Sequence, residues 1–549
     1  LFFMEARMVV SMGDDSDNFF FGTPSADTIY GLGGNDQFYS YLGLDLIFGG
    51  DGNDYMAGRN NAEEAYGGAG DDTLFNVSKK SYGGLGKDRI EGSGSLYGGQ
   101  GMDTLGSPSP YDRVSSGSIY GGQDRDFLYG SGSLYGGEGM DIVDGSGSLY
   151  GGAGDDGMSG SGSLYGGAGD DGMSGSGSLY GGAGDDNIGI RHFVPLFGFF
   201  FGGMGEDTVF GLGSLYGGVG NDDLSGSGSL YGGEGNDRLM YTNLKDFSES
   251  RLFGGEGSDL FDGPGEAGSG TVFYGGEGGD VFNQTMATCF GGAGDDLFLN
   301  MSSNSLFGGN GRDTIFGSSG HGDAGDDILV DGWLFGKLYK VDGNLYGGAG
   351  SDYLSGNGGN DSLYGGAGED LMWAGWDTDL AHGGTGADSI HAGDGDDVVY
   401  GDNGDDQLFG DGGSDRLSGG SGADTLLGGA GDDTLFGGAG KDLLLGGEGV
   451  DVLSGGEGRD AFDFVSLSGM GLGTARDQII DFVAGQDRVR LWMPEAVTFI
   501  GNDGFTGTVG EVRYDRTAQE LEIDSDGNGE TDVAIWLGID SFAARDLIL

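Results

Sequence analysis

The sequence predicts an all-β protein: a parallel β-roll or β-helix solenoid with a small β-rich C-terminal cap. Three observations carry this reading. Glycine supplies 132 of 549 residues, far above the usual share of roughly 7%, while only 6 prolines exclude a collagen-like chain. A nine-residue frame runs without slippage from Gly347 to Asp463. Within each frame an apolar residue follows an aspartate by two positions, as in a short strand leaving a turn.

The frame is clearest in residues 347–463, which hold 13 contiguous units from GGAGSDYLS to GGEGRDAFD. Its sixth position is always aspartate: Asp352, Asp361, Asp370, Asp379, Asp388, Asp397, Asp406, Asp415, Asp424, Asp433, Asp442, Asp451 and Asp460. Its eighth is apolar, as in Leu354, Ile390, Val399, Leu426, Leu435, Leu444 and Phe462. Glycines permit a tight turn with positive φ and leave carbonyls free to face an ion. Aspartate supplies hard oxygen, which suits Ca²⁺. All of these aspartates except Asp379, in the frame AGWDTDLAH, are expected calcium ligands. Residues seven to nine should form a three-residue strand with its middle side chain inward. Two frames then close one coil, and coils stacked about 4.8 Å apart build two parallel sheets around a thin aliphatic core.

Residues 1–21 are a lead-in. Leu1 to Val10 is apolar but contains Glu5 and Arg7, which makes a poor export leader. In residues 22–75 the frame is again nine, with Asp27, Asp36, Asp45, Asp54 and Asp72 at position six. Calcium turns are expected on both edges there, with Asp27, Asp36, Asp54 and Asp72 as ligands. The frame GRNNAEEAY at Gly58 has lost the pattern, which predicts a gap in the ion row.

Residues 76–346 follow a different unit. Gly136, Gly151, Gly166 and Gly181 recur every 15 residues in GGAGDDGMS-type turns followed by GSGSLY. This predicts coils with a calcium turn mainly on one edge and a variable, calcium-free turn on the other. The expected ligands are Asp88, Asp103, Asp126, Asp141, Asp156, Asp171, Asp186, Asp207, Asp222, Asp237, Asp259, Asp280, Asp296, Asp313 and Asp327. The opposite edge varies from GSGSLY to NIGIRHFVPLFGFF, and variable loops on a rigid scaffold commonly carry function.

In residues 464–549 glycine thins and alternating strands appear at Glu511 to Asp515 and Glu520 to Asp524. A cap is expected here, since a solenoid must cover the open end of its core. The segment Asp524 to Asp532 resembles the start of an EF-hand loop, but its twelfth position is Ile535 rather than glutamate. A plain β-turn and an extra ion site both stand open.

Composition excludes several classes. Asp plus Glu number 89 against 24 Lys plus Arg, a net charge of −65, so nucleic acid and anionic membranes are not expected partners. One cysteine allows no intrachain disulfide, and with four histidines it gives no structural zinc site. No run approaches the roughly 20 apolar residues of a transmembrane span. There is no HExxH or GxSxG motif, and repeats begin by Gly22, so no catalytic residue and no enzyme activity are expected. Cys289 falls at an inward position and should be a buried small hydrophobe. His382 and His391 lie nine apart, on opposite sheets, and should not meet. Tyr120, Tyr135, Tyr150, Tyr165 and Tyr180 should stack as an outward ladder, for packing or as a glycan-binding or self-association face. The apolar run Phe193 to Phe201 would touch a partner or fold back on the solenoid.

The frame GGxGxDxUx closely resembles the repeats-in-toxin (RTX), hemolysin-type calcium-binding repeat, with about 23 GGxGxD matches spread over about 440 residues. The resemblance implies a parallel β-roll with many Ca²⁺ ions, each between turns of neighbouring coils, held by the aspartates and turn carbonyls. The run from Asp477 to Leu491 and the ending Asp546-Leu-Ile-Leu549 look like the C-terminal domain of serralysin-type proteins. That implies an uncleaved signal for the type I secretion machinery, and hence a secreted, extracellular or cell-surface protein. The expected function is calcium-driven folding of a structural or adhesive protein with a glycan or cell-surface target. The alternative is the non-catalytic calcium-binding part of a secreted hydrolase or epimerase whose N-terminal catalytic domain is missing. An ice-binding solenoid would want a regular threonine array, and a pore-forming toxin a long hydrophobic domain; the sequence has neither.

Overall fold

The computed structural model describes residues 9–40, 43–58, 62–77, 79–108, 117–189, 198–242, 250–263, 270–283, 287–301, 305–317, 319–334, 337–338, 340–465, 471–472, 475–492 and 496–548. The chain divides into two compact units, Leu1–Asp262 and Gly263–Leu549. Each is built of parallel strands, as the repeat period demands.

In the first unit each coil gives one strand to each of two sheets. Thr28–Gly33, Asp45–Asp51, Ala62–Ala69, Lys80–Leu85 and Ser95–Gln100 pair in parallel, aligning Ile29, Ile47, Ala65, Ser81 and Leu96 in one inward column. Gln37–Ser40, Tyr55–Gly58, Thr73–Val77 and Arg89–Gly92 align Phe38, Met56, Leu74 and Ile90 in the other. The apolar members of both columns are at most 2% exposed. Alternation of inward and outward side chains along each strand thus places every eighth-position residue in the core.

Two expectations need correction. The strands are longer than three residues: Thr425–Ala430, for example, has six. The two glycines that open the next frame stay in the parallel ladder, Gly429 aligned with Gly447, because bare backbones pair as well as substituted ones. In some of the 15-residue coils no separate turn stands at the calcium-free edge, although Gly172–Ser176 and Leu179–Ala183 remain separate strands. Ile142–Ala153 is one twelve-residue strand that pairs with Phe127–Ser131 of one sheet and Leu134–Glu138 of the other. Gly147, at φ 118°, provides the bend between them.

The second unit holds the regular nonapeptide coils. Leu345, Leu363, Ala381, Val399, Leu417, Leu435 and Leu453 form one inward column. Leu354, Met372, Ile390, Leu408, Leu426, Leu444 and Phe462 form the other. An antiparallel meander of Glu511–Asp515, Glu520–Asp524 and Val533–Trp536 makes the cap. Phe462 aligns with Val489 and Val489 with Leu547, while Phe462 meets Phe482 at 6.1 Å and Phe482 meets Phe542 at 5.7 Å, so aromatic side chains pack beside the end of the column. Among the described residues no helix is long and apolar enough to cross a membrane.

Candidate metal sites in the turns

The turn of Gly428–Asp433 shows how the frame builds a site. Gly429 and Gly431 have φ of 118° and 132°, which a side chain would disfavour. Gly428 serves close approach. A Cβ there would come within 3.0 Å of both Asp433 Oδ2 and the carbonyl oxygen of Gly446, one coil on. A carboxylate oxygen and a main-chain carbonyl therefore converge beside a bare Cα. The other carboxylate oxygen, Asp433 Oδ1, accepts the backbone N–H of Asp415, one coil back, at 2.8 Å.

This arrangement repeats as files of aspartates. In the first unit one file runs through Asp36, Asp54, Asp72, Asp88, Asp103, Asp126, Asp141, Asp156, Asp171, Asp186, Asp207, Asp222, Asp237 and Asp259. Each Oδ1 accepts the backbone N–H of the preceding member at 2.7–2.8 Å. The turns of the 22–75 and 76–346 stretches that lie in this unit thus share one edge. On the other edge Asp27 donates its N–H to Asp45 Oδ1 at 2.9 Å; the next frame there is GRNNAEEAY, which has no aspartate.

The second unit has two files. One runs Asp280, Asp296, Asp313, Asp327, Asp352, Asp370, Asp388, Asp406, Asp424, Asp442, Asp460, with N–H to Oδ1 distances of 2.7–3.0 Å. The other runs Asp361, Asp379, Asp397, Asp415, Asp433, Asp451 at 2.7–2.9 Å.

Oδ2 is the atom left over. It is buried without a hydrogen-bond partner in Asp45 and in every file member from Asp36 to Asp237, from Asp296 to Asp460 and from Asp379 to Asp451. Burial pushes these carboxyls up, against the opposing pull of the N–H donor: Asp54 and Asp141 to about 6, Asp433 to about 7, Asp72, Asp126 and Asp379 to about 8. A buried, unpaired carboxylate oxygen is costly unless a cation meets it. The donors around it are carboxylate and carbonyl oxygens, the set that suits Ca²⁺ rather than a soft metal. Asp27 differs, because its Oδ2 accepts the N–H of Thr23 at 2.6 Å.

Some members were harder to read. Asp45 and Asp379 occupy the sixth position but are not among the expected ligands. The structure gives both the same buried setting, 0% and 3% exposed. Asp477 and Asp487 were missed. Asp477 Oδ1 accepts the N–H of Asp451 at 3.0 Å and Asp487 Oδ1 that of Asp460 at 3.2 Å. The surviving signal is aspartate followed two residues later by an inward apolar residue, Ile479 or Val489, after the glycines have gone. Position five also forms an outer ladder of reversed direction: Asp155 Oδ1 accepts the N–H of Asp170 at 3.0 Å, and Asp170 Oδ1 that of Asp185 at 2.9 Å. Two frames open on alanine instead of glycine, Ala374 and Ala392, both buried.

The remaining candidates resolve simply. Asp524, Asp526 and Asp532 bring carboxylate oxygens within 4.8 Å of one another, but loop N–H groups already donate to them: Gly527 and Gly529 to Asp524, Ser525 to Asp532. His382 stacks between Tyr364 and Tyr400, while His391 stacks between Trp373 and Phe409, so the two sit in different ladders. Their Nδ1 atoms lie 3.1 Å from Asp402 and 3.4 Å from Asp411. Cys289 is fully buried between Phe273 and Leu306, and burial raises its thiol pKa. Tyr120, Tyr135, Tyr150, Tyr165 and Tyr180 stack with centroids 4.7–4.9 Å apart. Of the run Phe193 to Phe201, residues 193–197 lie outside the described residues. Phe199 is exposed, Phe200 is in the core and Phe201 stacks on Tyr180.

A search of curated proteins returned no match. The family model of the RTX calcium-binding nonapeptide repeat, four copies long, matches residues 12–47, 39–74, 302–322, 346–381, 373–408, 382–417, 409–444 and 427–462. With its glycine turns, aspartate files and parallel coils, the chain carries RTX calcium-binding nonapeptide repeats.

Proposed function

We propose that this is an extracellular, non-catalytic structural or adhesive protein whose coils fold on binding Ca²⁺. The observation that carries the reading is the file of buried, unpartnered Oδ2 atoms. The aspartates of the files, with first-glycine carbonyls of the next coil, would hold the ions. Segments 22–75 and 347–463 would carry them on both edges and 76–346 on one. Carboxylates one coil apart, on the order of 5 Å, repel by about 3 kcal/mol per neighbouring pair at an effective dielectric of about 20. The thin core does not offset that together with chain entropy. Calcium supplies the opposing charge, and binding only to the folded form stabilises it by mass action. Extracellular calcium modules typically bind at about 10⁻⁴ to 10⁻³ M, which would keep the chain unfolded until export.

Circular dichroism with calcium and with chelator tests this: strand signal should collapse on chelation and return on recalcification, with calorimetry counting the ions. Strand signal unchanged by chelator would end the proposal. Export through the type I machinery is supported by the resemblance of residues 464–549 to serralysin-type ends. Fusing those residues to a passenger and measuring its export tests that separately.

A further inference from the structure

In the first unit an unbroken stack of aromatic rings runs from Tyr30 to Phe253, with centroids 4.5–4.9 Å apart and planes within 11° of parallel. From Tyr66 to Tyr180 every ring in it is a tyrosine; Phe201 then interrupts before Tyr216 and Tyr231. Coil spacing sets this geometry, because each ring follows an inward residue at the same register. The consequence for chemistry is specific. Both faces of an interior ring are covered by its neighbours, so a sugar has no ring face to stack on. What reaches solvent is the edge: the hydroxyl and the two Cε–H positions beside it. Tyr120 is 36% exposed. Along the strand, the outward neighbours of a ring such as Tyr150 are Ser148 and Gly152, small enough to let it tilt.

We propose that the Tyr66 to Tyr180 ladder is a site of oxidative cross-linking, in which tyrosines of successive coils join as dityrosine. The oxidant is hydrogen peroxide acting through a one-electron peroxidase. Each of two neighbouring phenols gives up one electron and its phenolic proton, forming a phenoxyl radical. The radicals couple through a new Cε–Cε bond, and the two Cε protons pass to the oxygens, restoring both phenols. In sum two Cε–H bonds break and one C–C bond forms, while two electrons and two protons reduce one peroxide to two waters. Equivalent atoms start about 4.8 Å apart across stacked ring faces, so the radicals couple face to face and the two rings then turn out of the stack to bring the new bond into their planes. The product would be a coil-to-coil staple on a sheet that the proposed ions clamp at its edge.

The test treats the full chain in calcium with peroxidase and peroxide. Dityrosine fluorescence should appear in a species that runs as one chain on a denaturing gel. Peptide mapping should join ladder neighbours such as Tyr135 and Tyr150, with the loss of two hydrogens. A checkerboard variant, with Tyr82→Phe, Tyr120→Phe, Tyr150→Phe, Tyr180→Phe and Tyr216→Phe, leaves no two tyrosines adjacent in the stack. Phenylalanine already stacks at positions 201 and 253, so the variant should keep its strand signal while losing the cross-links between members of this stack. Should it misfold, the single Tyr150→Phe change must remove the joins to Tyr135 and Tyr165 and spare the rest. Cross-links mostly between chains, joins between non-neighbours, or a checkerboard that keeps its yield would overturn the proposal.

Discussion

Replacing Asp433 by asparagine should reverse the sign of its effect when calcium is added. Asparagine keeps an Oδ1 to accept the Asp415 N–H but removes the charge from a group that is 1% exposed. Burial lifts this carboxyl from 3.8 to about 7, a difference that corresponds to about 4 kcal/mol for holding it ionised above neutral pH. In chelator the variant should therefore favour the coiled form, by up to that amount. In saturating calcium it loses one partner of a buried charge pair, which typically costs about 3–5 kcal/mol. The assay is strand circular dichroism against temperature, in chelator and in calcium, at about pH 8, with calorimetric ion counting alongside. The expected result is more residual strand in chelator, a lower midpoint in calcium and fewer ions bound. Destabilisation of the same size in both conditions would show that Asp433 serves packing alone, and the argument from the unpartnered Oδ2 would fail.

Acid should mimic part of what calcium does. The folded carboxyls lie above 3.8, near 6 to 8, so the folded form binds more protons than the unfolded one. That stabilisation is complete below the ordinary carboxyl range and lost as pH rises through about 6 to 8; strand signal in chelator should grow as pH falls, and in calcium the trend should invert as protons displace the ion. Gly428→Ala puts a methyl within 3.0 Å of Asp433 Oδ2 and the Gly446 carbonyl, so ion count and calcium midpoint should both suffer, whereas Ala392→Gly should cost no bound ion. Leu435→Ala empties a fully buried position and should cost about 2–5 kcal/mol, read as a lower melting midpoint in calcium.

The legible part of this fold is the part with a period. A frame of nine fixes which residue turns, which binds and which points inward, so the columns through Leu435 and Leu444 follow from spacing alone. The aspartate files were legible for the same reason, because glycine turns mark the sixth position. Asp477 and Asp487 escaped because their turns have lost the glycines, although they still supply carboxylates to the last regular coils. Strand length was misjudged because glycine reads as turn, while Gly429 and Gly447 sit bare in a parallel ladder. The Gly-Ser edge of the 15-residue coils was read as a turn for the same reason, yet Gly147 bends an unbroken strand. The reversed ladder at position five was out of sight, since its polar side chains look like ordinary solvated surface until neighbouring coils are laid against them.

The hydrogen bonds between sixth-position aspartates give each file an arrow. Along each file the sixth-position amide is received by the carboxylate of the coil that follows, so this bond always runs from a coil to its successor. Trimming from the front strands carboxylate oxygens, which water can satisfy. Trimming from the back strands amides in the two terminal rungs, where Asp477 and Asp487 normally receive them. Closure of the second unit's last coils is thereby tied to residues 477–487, and losses there should unravel more of that unit's files than equal losses at their first members.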